Sequence, residues 1–225
     1  ESWSNATVVY SESAGWGSVE GNANSTIGNS EVVVDYITGE IFIFMCRNNS
    51  NVLLTSSTDD ALTFSTVKDV STQVKPESNH WGWYATTFSA LQMVHHPKYK
   101  GRLVACADHV VGQWTAYPIT NGHSHTIISD DHGKTWHTGE KPLALPSSNE
   151  CSIAELANGT LVMNARNYLD SKDGAQPCKQ PCRVHRYIAH SYDGGESFEV
   201  GWFAQDLPDP IVFSDMTATA DGRTL

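Results

Sequence analysis

The chain contains 225 residues, of which 40% are hydrophobic and 10% aromatic, enough apolar material to form a core. Its formal net charge is −11, so it lacks the basic surface with which proteins bind nucleic acid or an anionic membrane. No apolar run approaches the roughly 18 residues of a membrane-spanning helix, and the first residues do not resemble a signal peptide. We therefore expect a folded protein with no integral membrane segment and no nucleic-acid partner.

Two apolar strands joined by a polar turn form a motif that recurs along the chain. Each turn ends in glycine, and these glycines are Gly39, Gly101, Gly159 and Gly222. The period is about 60 residues, as in repeat architectures. Glycine suits such turns because it adopts positive φ without a steric cost. The motif predicts one β-hairpin in each unit.

A second motif, Ser-x-Asp-x-Gly-x-Thr-aromatic, recurs in phase with the first. One copy contains Ser129, Asp131, Gly133 and Trp136, another contains Ser191, Asp193, Gly195 and Phe198, and a degenerate copy contains Asp59. In a tight hairpin of this kind the aspartate caps turn N–H groups, the glycine is left-handed and the aromatic ring packs into the core. We interpret these aspartates as structural residues rather than catalytic acids.

The strands between these motifs alternate over short runs, and no segment shows sustained helical periodicity. A unit of about 60 residues with roughly four strands is typical of a β-propeller blade. No shift in composition marks a domain boundary. The sequence predicts an all-β chain in which residues 1–225 form one partial propeller domain of about three and a half blades.

The stretch from Asn149 to Asn167 contains Glu-x4-Glu-Leu and Asn-Ala-Arg-Asn, and it resembles the central catalytic blade of sialidases. The Ser-x-Asp-x-Gly-x-Thr-Trp motif is similar to the Asp-box of the same family. The resemblance leans toward animal lysosomal-type sialidases and implies a six-bladed propeller of which this chain lacks both ends. The family's Asp acid, Tyr nucleophile and two further arginines have no counterpart here, so we expect the segment alone to be inactive.

The resemblance also implies a function, that of an exo-α-sialidase. Such an enzyme is a retaining glycoside hydrolase that releases terminal sialic acid from glycoproteins, gangliosides and oligosaccharides, and we expect no cofactor and no metal. The alternative is a non-catalytic Asp-box propeller that binds a glycan or a protein, because a fold does not determine a function.

Two residues carry the chemistry that the resemblance implies. Sialic acid has a carboxylate on its anomeric carbon, which repels a carboxylate nucleophile, so a neutral tyrosine attacks and needs a base. Glu150 matches that base, and Arg166 matches one of three arginines that bind the sugar carboxylate with paired donors. By residue type alone, Glu150 could be an exposed acid and Arg166 a solvated residue at a strand end.

Histidine and cysteine spacing allows a metal site, although we favour none. His123 and His125 lie on one face of a strand, and with Cys178 and Cys182 they could bind zinc. The alternative is that the histidines are satisfied without a metal and the two cysteines form a disulfide within a loop.

A cluster of aromatic residues allows sugar stacking or core packing. Trp81, Trp83 and Tyr84 are close in sequence, and His109 follows a strand toward the same region. We favour core packing. The nearby stretch 86–90, Thr-Thr-Phe-Ser-Ala, replaces the Gly-Pro-Gly loop of sialidases, so we expect a pocket of different shape.

Four acceptor sequons indicate the secretory pathway. They begin at Asn5, Asn24, Asn48 and Asn158. We therefore expect a lysosomal, extracellular or cell-surface protein, although a chain rich in Asn, Ser and Thr also contains sequons by chance.

Overall fold

The computed structural model describes residues 5–12, 25–76, 80–112, 121–168 and 185–223. In these ranges the chain forms strands and one short helix, α1 (Ser71–Val74). The strands are β1 (Ile27–Val34), β2 (Ile41–Arg47), β3 (Asn51–Ser57), β4 (Lys68–Asp69), β5 (Trp81–Gln92), β6 (Leu103–Val111), β7 (Gly122–Ser129), β8 (His137–Thr138), β9 (Ser148–Glu155), β10 (Leu161–Asn167), β11 (His185–Ser191) and β12 (Trp202–Pro208). No helix in these ranges is long and apolar enough to cross a membrane.

The strands form three sheets, and each sheet is an antiparallel meander of four strands in chain order. The first sheet contains β1 to β4, the second β5 to β8 and the third β9 to β12. The prediction of an all-β chain built from four-stranded units is therefore confirmed. Residues 209–223 contain no strand. Gly222 lies in a turn, and its carbonyl accepts the N–H of Ala157.

The hydrophobic core lies between the sheets, in two layers. Leu103 and Ile127 of the second sheet face the first sheet, whereas their neighbours Val104 and Ile128 face the third. Adjacent strand residues point to opposite faces, so both faces of the second sheet are buried. This explains why β6 and β7 are nearly continuous runs of buried residues, with only their ends exposed or half-buried.

The first strand of each sheet makes the main contact with the next sheet. β1 packs against β5, and β5 packs against β9. The hairpins that follow these strands turn at Gly39, Gly101 and Gly159, all with positive φ as the repeat predicts. The three sheets are thus stacked in one direction, with equivalent strands in contact.

The Ser-x-Asp-x-Gly-x-Thr motifs form the loops between the third and fourth strands. In the second sheet, the Ser129 hydroxyl donates to Asp131 Oδ1 at 3.0 Å and accepts the Gly133 N–H at 2.9 Å. Asp131 also accepts the N–H and hydroxyl of Thr135, at 2.9 and 2.7 Å. The Trp136 ring that follows is buried and meets Phe44 edge to face, with ring centroids 4.8 Å apart.

The other two copies make the same hydrogen bonds. In the third sheet Ser191 donates to Asp193, and in the first sheet Ser57 donates to Asp59, each at 2.8 Å. The Thr63 hydroxyl, and then its N–H, lower the pKa of Asp59 to about 2. Each aspartate therefore stays charged and fixes its own turn.

The glycine of this motif meets two separate constraints in the second sheet. Gly133 has a φ of 76°, and a Cβ there would overlap the Phe42 ring of the first sheet. In the degenerate copy Ala61 takes the same place with a φ of 63° on an exposed turn. The left-handed conformation costs a non-glycine residue roughly 1 kcal/mol, but here nothing obstructs the side chain.

Carboxylates join neighbouring sheets at the end where these loops lie. Glu155, the last residue of β9, accepts the N–H groups of Val94, His95 and His96 at 2.6 to 3.1 Å. These three residues lie in the β5–β6 hairpin, so one carboxylate holds the third sheet to the second.

We predict that Glu155→Gln lowers the free energy of unfolding by about 2 kcal/mol. An amide accepts through one oxygen, and its NH2 group faces N–H donors that the carboxylate now satisfies. Equilibrium urea denaturation measures the change. Glu140→Gln is the control, because Glu140 is exposed and its replacement should change stability by less than about 0.5 kcal/mol. Equal stability of the two variants would contradict the role of Glu155.

Candidate active site

The candidate residues lie at the opposite end of the sheets from the Ser-x-Asp-x-Gly loops. Glu150 is near the start of β9 and Arg166 near the end of β10. These strands are antiparallel neighbours, and Cys151 pairs with Ala165 in their register. The two side chains therefore emerge from one edge of the third sheet.

Glu150 and Arg166 form an ion pair. Arg166 Nη1 donates to Glu150 Oε2, and the two side chains are 18% and 19% exposed. The guanidinium carbon also lies 5.1 Å from the centre of the Tyr168 ring. Sequence analysis gave the two residues separate roles, whereas the structure places them in direct contact. The pair is accessible yet largely shielded, a setting in which charges act more strongly than at an open surface.

Residues that the sequence did not single out support this pair from below. The Asn149 side-chain amide donates to Asp108 of β6, and the Tyr168 hydroxyl donates to Asn149 Oδ1 at 3.5 Å. The Ser124 hydroxyl of β7 donates to the Asn149 carbonyl at 2.5 Å. The start of β9 is thus fixed from two strands of the second sheet. A signal existed for Asp108, because it is an acid directly after the apolar stretch 103–107.

A chain of hydrogen bonds between aromatic residues lies in the core beside this site. The Tyr84 hydroxyl is 3.1 Å from His125 Nε2, and His125 Nδ1 is 3.0 Å from His109 Nδ1. Burial lowers the pKa of His125 to about 3 and lowers that of His109 as well, so both imidazoles are neutral. Trp81 stacks on His109, with centroids 3.7 Å apart.

These positions settle the question about the aromatic cluster. Trp81 and Tyr84 are buried in the core between the first two sheets, as the core-packing interpretation expects. Trp83 is partly buried and packs against Val110 and Tyr168. His109 is buried as well.

The chain matches a known domain family along its whole length. A family model described as "BNR repeat-like domain" matches residues 1–225. The chain belongs to the BNR repeat-like domain family. A sialidase of Micromonospora viridifaciens is 28% identical over 159 residues, which are 69% of this chain and 21% of the relative. Sialidase-3 of Bos taurus is 28% identical over 191 residues, which are 79% of this chain and 40% of the relative.

The solved structures that resemble this BNR domain include a Trypanosoma rangeli sialidase in complex with 2,3-difluorosialic acid. The TM-score is 0.65 at 13% identity, and the match covers 96% of this chain and 34% of that one. At this identity the likeness shows the shared fold. The chain spans less than half the length of each of these relatives.

The two histidines of the possible zinc site have polar neighbours within the BNR domain. His125 is engaged in the chain described above, and His123 Nδ1 lies 3.4 Å from the Leu143 carbonyl. Cys178 and Cys182 lie outside the described residues, so neither the zinc site nor the disulfide is tested.

One other group of ligand-type side chains lies close together in the described part of the chain. It consists of Asp130, His137 and Glu196. Arg102 donates to Asp130 at 2.7 Å and lies 2.9 Å from Glu196. The arginine supplies the positive charge that these carboxylates need.

The stretch that replaces the Gly-Pro-Gly loop forms a β-bulge in the BNR domain. The register of β5 against β6 shifts between Thr86 and Ala90, and Phe88 has a φ of 70°. Phe88 is partly exposed and meets Phe213 edge to face, with centroids 5.2 Å apart. Glu31 of β1 lies beneath, where burial raises its pKa well above the usual range. Phe88 thus adopts, within the bulge, a positive-φ conformation that is usual for glycine.

A cavity of about 330 Å³ lies away from the candidate site. It is at the end of the sheets where the Ser-x-Asp-x-Gly loops lie, between β1, β5 and β9, and Glu155 and His95 line it. Glu150 and Arg166 are at the far end of β9 and β10.

The sequon asparagines of the BNR domain are at its surface where they are described. Asn5, Asn48 and Asn158 are exposed, whereas Asn24 lies outside the described residues. The side chains of Asn48 and Asn158 accept the N–H groups of Thr26 and Thr160 at 2.8 and 3.0 Å.

Proposed function

We propose that the whole protein is an exo-α-sialidase, a retaining glycoside hydrolase that releases terminal sialic acid. The observation that carries the proposal is the Glu150–Arg166 pair at the exposed edge of the third sheet, in a chain whose relatives include sialidases. The substrates would be sialylated glycoproteins, gangliosides and oligosaccharides. We propose more specifically that this sialidase is of the animal lysosomal type.

We infer further that the sheets are blades of a six-bladed β-propeller. Three consecutive meanders of four strands, stacked through their first strands, support this architecture. The ends of the second strands, and the starts of the first and third strands, then share one face with Glu150. That residues 1–225 form one partial propeller domain belongs to the same proposal.

Glu150 would act as the base that takes the proton of a tyrosine nucleophile. We assign that nucleophile to no tyrosine of this chain. The carboxylate is held by charge-assisted hydrogen bonding to Arg166, which keeps it oriented before the substrate arrives. General-base catalysis requires such a group within hydrogen-bond reach of the proton it accepts.

Arg166 would bind the carboxylate of sialic acid. A guanidinium carries five N–H donors, so one side chain can hold two carboxylates at once. Arg166 would therefore bridge Glu150 and the substrate, and it would bring the base to the anomeric centre to which that carboxylate is attached. The Tyr168 ring beneath the guanidinium stabilises its position through a cation–π contact.

We predict that Glu150→Gln lowers kcat by roughly 10²–10⁴-fold, because glutamine keeps the shape but cannot accept a proton. Substrate affinity should change much less, because the base acts in the chemical step and not in binding. The removal of a negative charge near an anionic sugar favours slightly tighter binding. Steady-state hydrolysis of a fluorogenic sialoside by the whole protein measures both.

The matched control is Glu199→Gln at an exposed position of the third sheet, which should retain wild-type kinetics. A Glu150→Gln variant with wild-type kcat would contradict the base and favour the glycan-binding or protein-binding module.

We predict that Arg166→Lys weakens substrate binding at least about tenfold although the charge is kept. An ammonium group cannot reproduce the paired planar donors. Affinity for an unsaturated sialic acid analogue, measured by calorimetry, reports this loss directly. Arg223→Lys is the control, because Arg223 is 80% exposed. Equal affinities for wild type and Arg166→Lys would return Arg166 to a purely structural role.

We propose that the protein enters the secretory pathway and is lysosomal, extracellular or on the cell surface. Exposed sequons at Asn5, Asn48 and Asn158 support this. Expression in a secreting eukaryotic cell should give a product whose mass falls on treatment with an N-glycosidase. Asn158→Gln should remove one such step, and a secreted product with no mass change would contradict the use of these sequons.

A further inference from the structure

Asp108 of β6 lies directly behind the candidate base. Its side chain is completely buried, and Oδ2 accepts the side-chain amide of Asn149. Its other oxygen, Oδ1, has no hydrogen-bond partner in the part of the chain that the structure describes. A buried carboxyl group with one unsatisfied oxygen costs stability, which an apolar side chain of similar size would not. Packing alone does not explain an acid at this position.

Asn149 connects this acid to Glu150. Its amide nitrogen donates to Asp108, its amide oxygen accepts from Tyr168, and its carbonyl accepts from Ser124. Glu150 is the next residue in the chain. These contacts therefore fix the backbone from which the base extends.

We propose that Asp108 is a positioning residue for Glu150: an uncharged carboxyl group that holds the Asn149 amide and so sets the place and angle of the base. The inference rests on the proposed function. Because Asp108 has no exposed surface, it acts through Asn149 and does not touch the substrate.

The surroundings of Asp108 favour its uncharged form. Burial raises the pKa of Asp108 well above the usual range, and the neighbouring Glu150 carboxylate raises it further, against the lowering by Arg166 and Asn149. The titratable groups that face it are Tyr84 of β5, Cys46 of β2, Cys151 and Glu150 of β9, and Arg166 of β10. An uncharged Asp108 does not compete with Glu150 for the guanidinium, so the base keeps its ion pair.

Two substitutions separate positioning from packing. Asp108→Asn keeps the shape and an oxygen that accepts the Asn149 amide, so kcat should stay within about threefold of wild type. Asp108→Leu keeps the number and branching of the side-chain heavy atoms but removes the acceptor. We expect kcat to fall about 100-fold, the typical cost of a misplacement of about 1 Å, with KM changed less than about threefold. Circular dichroism verifies that both variants fold.

A double-mutant cycle tests the route through Asn149. Asn149→Ala should lower kcat as Asp108→Leu does, and the double variant should lose little more, because both remove one contact. If Asp108→Leu does not fold, Asp108→Ala, which also removes the acceptor and adds no bulk, takes its place in the cycle. Unchanged kcat in Asn149→Ala would overturn the proposal.

A second measurement needs no activity. A carboxyl group with a raised pKa in the folded state contributes stability below its ordinary pKa and loses it as pH rises toward the raised value. The wild-type protein should therefore lose stability relative to Asp108→Asn between about pH 4 and pH 7, by up to about tenfold in the unfolding constant per pH unit. A ratio independent of pH would show a charged Asp108 and overturn the proposal.

These results distinguish the inference from the function on which it rests. A wild-type protein that hydrolyses no sialoside would contradict the proposed function, and the unfolding measurement would still report on Asp108. An active wild type whose Asp108→Leu variant keeps its kcat would overturn the positioning role alone.

Discussion

The second sheet has two apolar faces, and that constraint governs the rest of the structure. Strands β6 and β7 are buried on both sides, with Leu103 and Ile127 in one core layer and Val104 and Ile128 in the other. Such a sheet is stable only between two neighbours, because either face exposed to water would forfeit its burial. Stacking in one direction follows, and with it the alignment of equivalent strand ends at two opposite edges.

The two edges then differ in what their polar groups do. At one edge the carboxylates of Asp131, Asp193 and Glu155 accept N–H groups of turns, and each charge is used locally. At the other edge, Glu150 and Arg166 are paired with each other and partly exposed to solvent. The charges of Glu150 and Arg166 are therefore held by each other rather than by a turn, and an external partner can reach them.

Much of the fold was predictable from the sequence because its determinants are local. The hairpin glycines and the Ser-x-Asp-x-Gly motif specify turns within a few residues, and short alternating runs specify strands. Glu150 and Arg166 could be located from the stretch around them for the same reason.

The contacts of the site could not be predicted in this way. Asp108 reaches Asn149 across two sheets, and Tyr84, His125 and His109 meet only through the register of three strands. Sequence spacing gives no register between sheets. The bulge at Phe88 was missed because Glu31, which lies beneath it, is distant in the chain.

The Ala61 and Gly133 turns show that the repeated units are no longer interchangeable. Each unit forms the same turn, but only the second sheet's turn abuts a large ring, that of Phe42. That ring belongs to the first sheet, so a side chain at position 133 would collide with it, whereas the Ala61 side chain is exposed. The same turn therefore accepts a side chain in one sheet and excludes it in the next, because the neighbouring sheet, and not the turn itself, sets the limit.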